Sequence, residues 1–195
     1  MRIVGGALRG RRLAGPKSLA IRPTSDRLRE TIFDILEHAH AGTIEGAAVI
    51  DVFAGAGALG LEALSRGAAR ALFVDHGAEA RALLRQNIEA LGLGGVTRVF
   101  RRDATRLGLA PKGERFGLAF LDPPYGQNLA PIALTALVRG DWLTPGALAI
   151  VEEAAGAAIG LPEGFREEQT RRYGDTQLVF ARWVGEGGKG EENAP

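Results

Sequence analysis

From Ala47 onward, short apolar runs alternate with stretches in which apolar side chains recur every three to four positions. Ala48 to Phe53 is an almost unbroken apolar run interrupted by Asp51, as expected of a strand covered on both faces. A Gly-rich turn and a short helix from Leu59 to Arg66, stopped by Gly67, come next. Ala71 to Val74 predicts a second strand, and Ala80, Leu83, Leu84, Ile88 and Leu91 share one side of a helix ended by Gly92. Val96 to Phe100 and Gly117 to Leu121 predict two more strands. Ile132 to Val138 reads as a helix and Ala147 to Val151 as a fifth strand, while two antiparallel strands flank Gly174-Asp175. This alternation predicts an α/β fold with a doubly wound, mostly parallel sheet.

The front of the chain is patterned differently. Arg2-Ile3-Val4 and Arg11-Arg12-Leu13, joined through Gly5-Gly6 and Gly10, predict a basic β-hairpin or a flexible arm. Pro23 and Thr24-Ser25-Asp26 supply a helix start, and Leu28, Ile32, Ile35 and Leu36 form its apolar stripe. The division expected is a hairpin and helix over residues 1–46 packed on a core of residues 47–184. A disordered tail of residues 185–195, rich in Gly and Glu, closes the chain.

Composition narrows the class. The 195 residues carry no cysteine and only three histidines, which excludes a disulfide framework and leaves no metal site to expect. No apolar run approaches the roughly 18 residues of a membrane span, and the first fifteen residues hold four Arg, unlike a signal peptide, so a cytoplasmic protein is expected. The net charge of +1 hides a front end of +7 over residues 1–29 and a remainder of −6. That front end suits an anion. Arg9, Arg11, Arg12, Arg22, Arg27 and Arg29 are the candidate phosphate contacts.

In sheets of this kind ligands bind beyond the carboxyl ends of the strands. Gly55, Gly57 and Gly60 follow the first strand in a G-x-G-x-x-G pattern, and Asp75 follows the second. Alone they would allow a nicotinamide dinucleotide site. Asp51, four residues before the first glycine, argues against it, because a carboxylate repels a pyrophosphate but accepts the α-amino group of S-adenosylmethionine. Asp75 is placed to accept the ribose hydroxyls, and Asp103, after the third strand, an adenine amine. Phe53, His76 and Ala104, adjacent to these positions, complete the candidate cofactor contacts.

After the fourth strand comes Asp122-Pro123-Pro124-Tyr125, the most specific signal in the chain. Two prolines remove two amide donors and stiffen the backbone, leaving the Asp122 carboxylate and the Pro123 carbonyl as fixed acceptors. An exocyclic nucleobase amine has two hydrogens to give, and its nitrogen attacks poorly until they are held. Tyr125 offers a ring for a flipped base to stack on.

This tetrapeptide resembles the (Asn/Asp)-Pro-Pro-(aromatic) motif of amino-methyltransferases, and Asp51 to Gly57 resembles their cofactor motif. With Arg2 to Gly6, Arg9 to Leu13, Arg22 to Phe33 and Phe53 to Ala68, the chain is similar over residues 1–183 to the bacterial 16S ribosomal RNA (guanine-N2)-methyltransferases. The resemblance implies a Rossmann-like class I methyltransferase with a seven-stranded sheet and S-adenosylmethionine as donor. It further implies guanine N2 of 16S ribosomal RNA as acceptor, within a small-subunit particle, with a monomeric enzyme expected. An adenine-N6 methyltransferase acting on DNA or RNA shares the Asp-Pro-Pro-Tyr chemistry and is the alternative.

Overall fold

The computed structural model describes residues 1–15 and 25–185. The expectations for Arg22, Pro23, Thr24 and the tail beyond Gly185 lie outside the described residues. Seven strands, β1 (Ala48–Val52), β2 (Arg70–Val74), β3 (Thr97–Phe100), β4 (Phe116–Leu121), β5 (Leu143–Ala154), β6 (Phe165–Tyr173) and β7 (Thr176–Trp183), form one sheet in the order β3-β2-β1-β4-β5-β7-β6. The pairs from β3 through to β5 are parallel, and β7 is antiparallel to both its neighbours. The doubly wound, mostly parallel sheet is therefore present. Strand order reverses between β1 and β4, whose near-continuous burial explains sequences that are apolar but for Asp51 and Gly117.

Helices α1 (Asp26–Ala39), α2 (Ala58–Ser65) and α3 (Ala78–Leu91) cover one face through a cluster that includes Phe33, Leu61, Phe73, Leu84 and Phe120. Helix α4 (Leu129–Arg139) covers the other with Leu134, Leu137 and the fully buried Trp142. Strand β5 begins at Leu143, four residues before the apolar run that announced it. Its register against β4 shifts between Phe116 and Leu118, and this irregularity accommodates Pro145-Gly146.

The side chain of Ser25 caps α1 by accepting the Leu28 N–H at 3.1 Å, but the buried face is Arg29, Ile32, Phe33 and Leu36, with Leu28 and Ile35 only half-buried. This corrects the expectation for Arg29. Its side chain is fully buried, donates to the carbonyl of Arg2 and pairs with Asp26, so it braces the hairpin from inside and does not meet phosphates.

The hairpin itself closes through an isolated antiparallel bridge between Arg2 and Arg12, with Ile3 N–H donating to the Arg11 carbonyl at 2.9 Å. Ile3 and Leu13 belong to the same cluster as Phe73 and Leu84. Below them lies Glu62, a fully buried carboxylate that accepts the Val4 and Gly5 N–H groups at 2.8 and 2.7 Å and the Arg66 Nε at 2.8 Å. Ser65 adds a bond each way, accepting from Leu8 N–H and donating to the Gly5 carbonyl.

Candidate functional site

The carboxyl ends of β1, β2, β4 and β5 open on a cleft of about 800 Å³, within the usual range for a small-molecule site. At the end of β1 the chain turns sharply through three left-handed residues, Phe53 (φ 64°), Gly55 (φ 55°) and Gly57 (φ 83°). Phe53 holds that conformation without being glycine, strain of the kind that collects at ligand sites. Gly55 faces the cleft, and a Cβ built there meets nothing within 4 Å. Gly57 and Gly60 serve packing instead. A Cβ on Gly57 would lie 2.3 Å from Leu84 and one on Gly60 2.4 Å from Phe73, so both glycines let α2 sit close against β2 and α3.

Asp75 ties two loops together. Its Oδ2 accepts the Gly55 N–H at 2.8 Å and its Oδ1 the Gly77 N–H at 2.7 Å, which fixes a half-buried carboxylate on the cleft wall. His76 and Ala104 line the same cleft. Asp103 stands between two lining residues, Arg102 and Ala104, and its Oδ1 caps the short turn Ala104–Arg106 through the Thr105 N–H and hydroxyl. Those bonds hold its carboxyl below the usual range.

Asp51 is placed differently from the role expected of it. It is buried behind the glycine turn, with Oδ2 accepting the Gly60 N–H at 2.9 Å, so it fastens α2 to β1. Burial, with Asp75 nearby adding repulsion, pushes its carboxyl up to about 8, from 3.8 in the unfolded chain. Between those values the folded state keeps a proton that the unfolded state has lost, so this group's contribution to stability falls as pH rises from about 4 to about 8. Asp51→Asn is expected to remove that part of the slope. Urea midpoints at pH 5 and pH 8.5 check this, and an undiminished pH 5 to 8.5 loss in the variant would show that Asp51 is not its source.

All four residues of Asp122-Pro123-Pro124-Tyr125 line the cleft, beyond the end of β4. The Tyr125 hydroxyl donates to Glu152 Oε1 at 2.6 Å and lies 3.1 Å from Thr176 Oγ1, which fixes the ring. Its proton is held tightly, because burial and the adjacent carboxylate both raise the phenol. Glu152 and Thr176, from β5 and β7, also line the cleft and were not anticipated. Glu152 directly follows the apolar run Ala147 to Val151, as Asp122 follows that of β4, although β5 itself continues to Ala154. Asn87 was missed as well. From within α3 it accepts Ala14 N–H and donates to the carbonyls of Ala14 and Ala56, joining the hairpin's exit to a cleft-lining residue.

Asp75, Glu79, Asp122 and Glu152 line the cleft against Arg102. This lining favours a cationic ligand over a pyrophosphate, which disfavours a dinucleotide and suits a sulfonium bearing an α-ammonium group. Among the described residues, no group of three or more His, Cys, Asp or Glu could hold a metal ion. No described helix is long and apolar enough to cross a membrane.

Comparison with known proteins places this geometry. The family model described as conserved hypothetical protein 95 matches residues 1–182. Ribosomal RNA small subunit methyltransferase D of Escherichia coli K12 is 41% identical over 152 residues, covering 78% of this chain and 74% of that protein. The protein of the same name from Haemophilus influenzae is 33% identical over 168 residues, covering 85% and 84%. The chain belongs to the small-subunit ribosomal RNA methyltransferase D family. A solved structure, a putative methyltransferase from Escherichia coli, superposes with a TM-score of 0.79 at 32% identity, covering 94% of this chain and 97% of its own. An RNA methyltransferase from Salinibacter ruber, solved with S-adenosyl-L-homocysteine, shares the fold at 13% identity with a TM-score of 0.60. The Rossmann-like methyltransferase fold expected from the motifs is the one observed.

Proposed function

We propose that this chain transfers the methyl group of S-adenosylmethionine to the exocyclic N2 amine of one guanine in 16S ribosomal RNA. The observation that carries the reading is the placing of Asp122-Pro123-Pro124-Tyr125 on the same acidic cleft as Gly55 and Asp75. When bound, S-adenosylmethionine supplies a methyl already activated by positive sulfur. The protein's work is therefore to hold the acceptor. Asp122 and the Pro123 carbonyl take the two amine hydrogens and draw N2 towards tetrahedral geometry, while the anchored Tyr125 ring stacks on the flipped base. Asp75 receives the ribose hydroxyls, Asp103 the adenine amine, and the turn from Phe53 to Gly57 the methionine part, with His76 and Ala104 as walls. The substrate is a small-subunit particle, met in the cytoplasm by a monomer.

The exposed Arg9, Arg12 and Arg27 are the phosphate contacts. Arg11 is exposed too, but its guanidinium also donates to the Ala90 carbonyl at 2.6 Å, giving it a share in holding the hairpin. The double variant Arg9→Gln/Arg12→Gln is expected to weaken RNA binding and to reduce the slope of log K against log salt by about 2, with cofactor affinity unchanged. Filter binding across a salt series measures it. An unaltered slope would remove the hairpin from the RNA interface.

The test of the whole reading is transfer of labelled methyl to unmethylated small-subunit particles, followed by nuclease digestion. Label in N2-methylguanine is expected; label in N6-methyladenine overturns the choice of base.

A further inference from the structure

Glu152 is 5% exposed, yet it is part of the cleft wall. A carboxylate withdrawn from water is costly unless its acceptor directions are used. The Tyr125 hydroxyl takes Oε1, and through it Glu152 is joined to the residue that stacks on the base, while Asp122 lies close enough to Tyr125 for its charge to act on the phenol. Two acids and one aromatic ring thus converge on one part of the cleft.

The two candidate bases differ at this point. Guanine offers its N2 hydrogens with an N1–H donor beside them, whereas adenine sets an N1 lone pair beside its amine. A second carboxylate next to the one that holds the amine complements the first edge and repels the second. We propose that Glu152 is the specificity-determining residue of the site: its carboxylate accepts N1–H of the guanine whose N2 amine Asp122 holds, admitting guanine and rejecting adenine. The inference rests on the N2 reading above. A carboxylate offers about four acceptor directions, so it receives N1–H without giving up Tyr125. Thr176, 3.1 Å from the same phenol, helps hold the arrangement.

A base that keeps the amine but changes N1 provides the test. 2-Aminopurine carries the C2 amine with an unprotonated N1. It is placed by splinted ligation at the guanine that nuclease mapping identifies, in reconstituted particles. Wild-type enzyme is expected to methylate it at least about 100-fold more slowly than guanine, as sites built around a substrate donor reject analogues lacking it. In Glu152→Gln the carboxamide oxygen still accepts from Tyr125, and its N–H now faces the 2-aminopurine nitrogen. The guanine to 2-aminopurine rate ratio is expected to fall by about tenfold or more. A ratio that stays constant while both rates drop together overturns the proposal and leaves Glu152 a support for Tyr125. Equal wild-type rates on the two bases overturn it without any variant. Label mapping to N6-methyladenine defeats the N2 reading itself, an outcome distinct from label on guanine with an unchanged ratio.

Discussion

Asp122→Ala is expected to lower kcat on small-subunit particles by about 10²- to 10³-fold, the usual effect of removing one fixed polar group that acts on the reacting atom. Affinity for S-adenosylmethionine and the melting temperature are expected to stay close to wild type, because the cofactor contacts are assigned to other loops and Asp122 is only partly buried, at the rim of the sheet. Asp122→Asn separates charge from hydrogen bonding. Its carboxamide oxygen still accepts one amine hydrogen, so it is expected to retain most of the activity that alanine loses. Single-turnover rates together with calorimetric cofactor titration read both effects. Full turnover by the folded alanine variant would remove Asp122 from the chemistry.

The largest effect on stability is expected at Glu62. Alanine there would orphan the Val4 and Gly5 N–H groups and take from Arg66 one of its two carboxylates, the other being Glu37 at 2.6 Å. Breaking one side of a buried ionic network costs about 3–5 kcal/mol. In a chain of this size that lowers Tm by roughly 6–20 °C. Because the bonds lost belong to the hairpin, RNA affinity is expected to fall with stability while the cleft still binds its cofactor at low temperature. Glu62→Gln, which keeps one acceptor, should fall between. Thermal melts of the two variants decide it, and a Tm within about 2 °C of wild type for Glu62→Ala would show the hairpin to be held by its apolar contacts alone.

Glu62 shows where sequence reading stops. In Leu61-Glu62-Ala63-Leu64 the acid looks like the solvent side of a short helix, yet all of its neighbours are buried too, because the hairpin covers the face that would otherwise meet water. Strands and helices of the core were legible because parallel strands must be apolar and their turns need glycine. The acids at the strand ends, Asp75 and Asp122, were legible for the same reason: a charge directly after an apolar run has few other uses. Arg29 was misread because the α1 stripe was counted from Leu28. Its buried face runs one residue later, through Arg29, Ile32, Phe33 and Leu36, and a cation on it pairs inward with Asp26. Asp51 was read as a ligand contact from its charge before the glycine turn and its likeness to a cofactor motif, whereas its bond to Gly60 appears only once the turn is built. Asn87 and Thr176 reach the site from 31 and 51 residues beyond their partners, a juxtaposition that local pattern does not encode.

The order of strands has a consequence for synthesis. β7 lies between β5 and β6 although it follows both along the chain, and it carries the Thr176 that helps hold Tyr125. Until the ribosome has released residues 176–183, β5 keeps an open edge and β6 has no neighbour. A nascent chain can therefore build the glycine turn after β1 and bring Glu152 to Tyr125 before Thr176 completes the hold on that ring, which waits until residues 176–183 have emerged.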